Sequence, residues 1–224
     1  KLEAIAADLL NEPTVEAAYV KPPAEPPVWD DPDEVATAPE AAPWGEAAPT
    51  ASFVDRHLYL EVAPGGIDAR YAWTRPGGKG QGVRIIDIEG AWRFTHEDLI
   101  QNQGGVIAGT QSSSRSWRDH GTAVVGEFPG DENTFGVTGI CPHANVRAIS
   151  IFGGIGSAGA LRRAADALSA GDIILIELHR PGPDASGSGQ DGYIAIEWWP
   201  DDFAAIVYAV SRGVIVVEAA GNGS

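Results

Sequence analysis

Short apolar runs alternate with segments of helical spacing from residue 83 onward, and this alternation restricts the fold more than any other feature of the chain. Residues 83–87, 145–152, 173–178 and 214–219 read as buried strands. Between them, 120–128 reads as a helix, and Leu161, Ala165 and Leu168 recur at helical spacing in 157–170. A further helix carries Phe203, Val207 and Val210; it opens on Asp201-Asp202 and stops at Gly213. Strands that alternate with helices predict an α/β fold, a three-layer sandwich around a mainly parallel central sheet. Ligands of such sheets bind at the carboxyl ends of the strands. That rule singles out Asp87, residues 178–180 and residues 219–222 before any chemistry is considered.

The first fifty residues differ in kind. Leu2, Ile5 and Leu9 share one helical face, and 15–20 reads as a short strand. Eight of the 16 prolines then fall between Pro22 and Pro49, among Ala, Glu and Asp, which reads as an extended linker over 22–51. The expected organisation is a leader over 1–21, this linker, and a globular domain over 52–224. The chain opens on Lys1 and holds no methionine, so a processed or truncated N-terminus is expected.

Charge narrows the partners. With 31 acidic and 15 basic residues the net charge is −16, which repels nucleic-acid phosphates and anionic membrane surfaces. No apolar run approaches a bilayer-spanning length. Cys141 is the sole cysteine, so no internal disulfide forms, and its place between apolar stretches marks it as a buried structural thiol.

Three polar residues stand at the strand and helix ends. Asp87 closes the run Val83-Arg84-Ile85-Ile86-Asp87, where a desolvated carboxylate needs a partner. His120 opens His120-Gly121-Thr122-Ala123, and a histidine there acts as a general base when a carboxylate holds its other ring nitrogen. Asn222 follows the strand in Ala219-Ala220-Gly221-Asn222, where a side-chain amide can donate to a developing oxyanion. Taken singly, each also fits a structural role as a turn aspartate, a surface histidine or an Asn-Gly turn.

The order of the three, with Gly82-Val83 before the first strand, His96-Glu97-Asp98-Leu99 after it and Gly136-Val137-Thr138-Gly139 further on, resembles the subtilisin-like serine proteases over roughly 57–224. The resemblance implies a secreted or extracytoplasmic endopeptidase that hydrolyses peptide bonds through an Asp-His-Ser triad. Asp87 would orient the imidazole of His120, His120 would act as base and then acid, and Asn222 would stabilise the oxyanion. Leu178, His179, Ala219, Ala220 and Gly221 would wall the substrate cleft, with an extended peptide adding to them as a strand. Residues 1–21 would be the remnant of an inhibitory propeptide. The implied partners are polypeptide substrates, the chain's own propeptide or a C-terminal remainder; no cofactor is required, and Asp98 and Asn133 stand where a structural calcium would bind.

Departures from the family pattern are equally visible. Ile88 and Glu89 intervene between Asp87 and Gly90, Ala123 stands where a second histidine is common, and Leu178-His179-Arg180 replaces a glycine-rich cleft segment. Glu218 adds a charge near the expected primary pocket. The family's Gly-Thr-Ser nucleophile motif does not occur after Asn222, so the serine is expected beyond this chain and the 224 residues alone are expected to be inactive. Two alternatives stay open: a catalytically inactive subtilase-like module that binds peptides, and a metal-dependent hydrolase using His96, Asp98, Asp119 and His120.

Overall fold

The computed structural model describes residues 1–27, 50–187 and 189–223. Most of the expected linker, 28–49, lies outside the described residues. The N-terminal helix α1 (Leu2–Leu9) forms as its spacing predicts, but it buries none of its residues. Residues 15–20 are not a strand. A short helix α2 (Ala69–Ala72) precedes the turn that leads into the sheet.

Five parallel strands make the sheet. They are β1 (Arg84–Glu89), β2 (Gln103–Ala108), β3 (Asn145–Ser150), β4 (Ile173–Ile176) and, last in the chain, β7 (Ile215–Glu218), in the order β2-β3-β1-β4-β7. A separate two-stranded antiparallel ribbon pairs β5 (His179–Pro181) with β6 (Tyr193–Ala195). Helix α3 (Arg115–Glu127) covers one face of the sheet; α4 (Gly156–Ala167) and α5 (Pro200–Ser211) cover the other. The architecture is the expected α/β sandwich with a parallel sheet.

Alternation along β1 decides what each face receives. Ile86 and Ile88 point into the larger core with Ile149, Ile174, Ile176 and Leu161. In that core Ala160, Ala164, Ala205 and Ala209 are fully buried, so small side chains let α4 and α5 approach closely. Truncating a fully buried leucine such as Leu161 to alanine costs about 2–5 kcal/mol. The opposite face of β1 carries Ile85, Asp87 and Glu89 toward α3, where Val125, Val146, Ala148 and Trp92 form a smaller core. Two carboxyls thus enter the layer between sheet and helix.

Helix α3 starts five residues before the expected start at His120, and Trp117, Gly121 and Val125 form its buried stripe at four-residue spacing. Its first two residues, Arg115 and Ser116, are polar and add nothing to an apolar helical spacing. Strand β1 likewise runs two residues beyond Asp87, to Glu89.

A candidate acid–base site

His120 sits within α3 rather than at its start, one position before the buried Gly121. Its Nδ1 lies 2.9 Å from Glu89 Oε2. The carboxylate expected at Nδ1 to be Asp87 is therefore Glu89. Asp87 Oδ2 instead accepts from the Trp92 indole N–H at 2.6 Å. The reason is register: residues two apart on β1 share a face, and the one nearer the carboxyl end reaches the helix at the level of His120. Glu89, followed by Gly90, was the signal available in sequence.

Both carboxyls are fully buried. Desolvation first, then the neighbouring Glu89 charge, pushes Asp87 well above the usual carboxylate range, against the Trp92 hydrogen bond. Desolvation and the Glu177 charge raise Glu89 in the same way. Burial lowers His120, while Glu177, Asp87 and Glu127 oppose that shift. Glu177, which follows β4 and was not singled out in sequence, is itself raised by burial.

His120 opens onto a cleft of about 560 Å³ lined also by Glu127, Phe128, Leu175, Glu177, Asn222 and Pro27. Asn222 therefore shares the cleft with His120, but its Nδ2 donates to Gln190 Oε1 at 2.9 Å and its backbone N–H to His179 Nδ1 at 3.3 Å. Leu178 is fully buried and packs into the larger core, so its side chain is no part of the cleft wall. His179 is also fully buried, with its ring edge-on to Tyr193 at 4.8 Å. Ala219 continues the sheet ladder through its N–H to Ile176, and Ala220 is exposed. Gly221 adopts φ 94°, and a Cβ there would stand 2.6 Å from the Tyr193 carbonyl. The close approach requires glycine.

The backbone of His179 is already paired. Glu25 and His179 form an isolated antiparallel bridge, and the segment around it is fastened at several points. Arg180 Nη1 donates to the Pro22 carbonyl, Gln190 Nε2 to the Pro26 carbonyl at 2.9 Å, and Tyr193 Oη to Glu25 Oε1 at 3.2 Å. Ala24 enters the larger core. Upstream, Lys21 Nζ lies 2.7 Å from both Asp201 Oδ2 and the fully buried Asp202 Oδ2, and 3.2 Å from Ser157 Oγ. Residues 22–27, expected as the start of a poorly packed linker, are thus a strap laid along the strand edge that ends beside His120.

The other sequence-selected residues fall elsewhere. Asp98 is buried, with Oδ1 accepting from Asn133 Nδ2 at 2.9 Å and Oδ2 from the Val137 N–H at 3.0 Å. Both carboxylate oxygens face N–H donors, so the pair does not fit a calcium cage. Asp119 pairs with Arg115 at 3.1 Å, and His96 Nδ1 is 3.9 Å from Asp98. Among the described residues, no group of three or more His, Cys, Asp or Glu side chains gathers in metal-binding geometry. Cys141 is half-buried, and burial pushes its thiol up to about 11. Glu218 faces residue 197, accepting from its backbone N–H at 3.1 Å, and burial pushes it up to about 7.

A parallel sheet with a histidine–carboxylate pair at its carboxyl edge, beside a strand edge that holds extended chain, is an α/β architecture with a candidate acid–base site. The chain is 30% identical over 200 residues to M-protease of Shouchella clausii, covering 84% of this chain and 48% of the relative. It is 29% identical over 194 residues to the alkaline protease of Alkalihalobacillus alcalophilus, covering 84% and 42%. By sequence it is a subtilase-like protein. It spans about half the length of these relatives. The solved nisin leader peptidase NisP from Lactococcus lactis aligns with a TM-score of 0.49 at 21% identity, over 73% of this chain and 49% of that one. No family model matches the chain.

Proposed function

We propose that the chain carries the acid, the base and the oxyanion donor of a secreted or extracytoplasmic serine endopeptidase, with the nucleophilic serine supplied by polypeptide beyond these residues. The observation that carries this reading is the 2.9 Å contact between His120 Nδ1 and the buried Glu89, at the mouth of a cleft shared with Asn222. Glu89 takes the orienting role expected of Asp87. With Nδ1 engaged, Nε2 is the ring nitrogen left for proton exchange.

In the reaction, His120 Nε2 removes the proton of the serine hydroxyl as its oxygen attacks the peptide carbonyl. Glu89 stabilises the imidazolium that results. The amide of Asn222, turned from Gln190, would donate to the tetrahedral oxyanion. Collapse of the intermediate breaks the C–N bond, and His120 returns its proton to the leaving amine. Water then repeats the sequence on the acyl-enzyme. No metal or organic cofactor enters these steps. The strap supports a peptide substrate, because the His179 edge already pairs with an extended segment of this chain.

Exposed apolar side chains support a further piece of polypeptide on the same face. Ile215 and Val217 are half exposed on β7, in register with Ile173 and Leu175, and Leu175 lines the His120 cleft. Among the described residues, no helix is long and apolar enough to cross a membrane.

A second reading, a subtilase-like module that binds peptides without cleaving them, draws on the Asn222 amide being engaged with Gln190. Treating the full-length gene product with a fluorophosphonate probe separates the two. One adduct on a serine beyond residue 224 is expected. An adduct within 1–224, or none on a folded full-length product, would sink the endopeptidase reading in this form.

A further inference from the structure

The mechanism above leaves one buried carboxyl without a task. Asp87 touches neither His120 nor the cleft, yet it is fully buried two residues from Glu89 on the same face of β1. Of the four oxygens on these two carboxyls, Asp87 Oδ2 meets Trp92 and Glu89 Oε2 meets His120. Asp87 Oδ1 and Glu89 Oε1 have no hydrogen-bond partner.

We propose that Asp87 is a positioning residue for the His120–Glu89 pair, a hydrogen-bonded bridge from the Trp92 indole to the second oxygen of Glu89. The inference rests on the reading of His120 and Glu89 given above. Two buried carboxylates two residues apart on one strand face, with an unpartnered oxygen each, are strongly disfavoured. A single proton on Asp87 Oδ1, donated to Glu89 Oε1, satisfies both oxygens. It leaves the pair with one negative charge, placed on Glu89 opposite His120.

The surroundings favour this arrangement. The ionisable groups that bear on Asp87 are Glu89 on its own strand, Glu177 after β4 and His120 from α3, and burial with the two acids outweighs the histidine. Glu127, from the same helix, bears on His120 and Glu177.

The other end of the bridge reaches the histidine by packing. Trp92 is 3% exposed, and its ring lies where a Cβ on Gly121 would stand 2.9 Å from Cδ1 and Nε1. Gly121 directly follows His120. Fixing the indole N–H on Asp87 Oδ2 therefore fixes the surface against which α3 presents its histidine. Asp87 acts through Trp92 and Glu89, and meets no reacting atom.

The test uses the full-length gene product carrying Asp87→Asn, Asp87→Ala, Trp92→Phe, Glu89→Gln or His120→Ala. Its readouts are the imidazole nitrogen resonances of His120 across pH, and kcat and KM on a peptide substrate. Asparagine keeps an acceptor for Trp92 and supplies an N–H to Glu89. Asp87→Asn is therefore expected to keep the His120 resonances and to hold kcat within about threefold. Asp87→Ala should shift those resonances and lower kcat by about 10²-fold with KM little changed. If Asp87→Ala fails to fold, Trp92→Phe replaces it and should displace the same resonances. Equal damage from asparagine and alanine, or resonances unmoved by both Asp87→Ala and Trp92→Phe, would overturn the bridge. Activity surviving in His120→Ala or Glu89→Gln would instead overturn the catalytic reading, and the resonances would still decide the role of Asp87.

Discussion

Glu25 and His179 exchange both backbone hydrogen bonds, with N–H to carbonyl distances of 3.1 and 3.2 Å. The pairing extends the strand edge by one residue, and Pro27, two residues on, already lines the His120 cleft. Under the proposed reading, a peptide substrate that used this edge would have to displace the strap, because both would need one set of backbone groups.

Lys21 is the place to weaken the strap. Its ammonium pairs with Asp202, a fully buried carboxyl whose other oxygen accepts from Ser157 at 2.6 Å. Removing one partner of a buried pair costs about 3–5 kcal/mol. The cost here should be smaller, because Arg180 Nε remains 3.8 Å from Asp202. Lys21→Ala is expected to speed amide exchange at Glu25 and His179 and to strengthen binding of an added extended peptide. Unchanged exchange at both amides would show that the strap does not depend on Lys21.

Gly121 sets two effects against each other. Alanine normally stabilises a helix interior over glycine by about 1 kcal/mol. At this position its Cβ would stand 2.4 Å from the Ala91 carbonyl, a backbone atom that cannot step aside. Overpacking of this kind costs about 1–3 kcal/mol and wins. Gly121→Ala should lower the urea midpoint of unfolding and displace His120 from Glu89. A higher midpoint would mean that α3 slides without penalty.

Burial of Cys141 gives a chemical check on the loop that follows α3. Its N–H donates to the Phe128 carbonyl at 2.7 Å, and its thiol is raised to about 11. Thiolate is the reactive form, so a disulfide reagent at pH 8 should modify the folded protein slowly and the denatured protein rapidly. Equal rates would place the thiol in water.

What was legible in the sequence follows from burial. Strands β1, β3, β4 and β7 are announced by runs of Ile and Val, and their alternation with helices is enough for the parallel sheet. Strand β2 escaped notice because it opens Gln103-Gly104-Gly105, has irregular register with β3 and is half exposed. The β5–β6 ribbon is three residues long on each side and includes Pro181, so it leaves no periodic signal. In the candidate site, His120 and Asn222, both singled out in sequence, line one cleft. Glu89 was passed over because Asp87 also ends an apolar run; only the strand's two further residues and the position of α3 tell which acid reaches the histidine. Glu177 was not singled out within the apolar run 173–178. Its meaning comes from β4 lying next to β1, a pairing between residues far apart in the chain.

Glu218 provides a test in which the sign is set by burial. Desolvation, with the Glu197 charge adding to it, raises its carboxyl to about 7 in the folded protein. The unfolded chain would release that proton near the usual value of about 4.3. Between those values the folded state binds more protons than the unfolded state, so stability falls as pH rises. This contribution is fully present below about pH 4, where both states are protonated. It is lost as pH climbs through about 7. Asp87 and Glu89, raised by the same cause, act in the same direction, so the wild-type curve alone does not isolate Glu218. Glu218→Gln should remove its share: urea unfolding from pH 4 to pH 8 is expected to show a flatter decline in the variant, with the largest gain over wild type at the alkaline end. Parallel curves for the two proteins would mean that Glu218 titrates in water, and that its contact with residue 197 does not hold it in the fold.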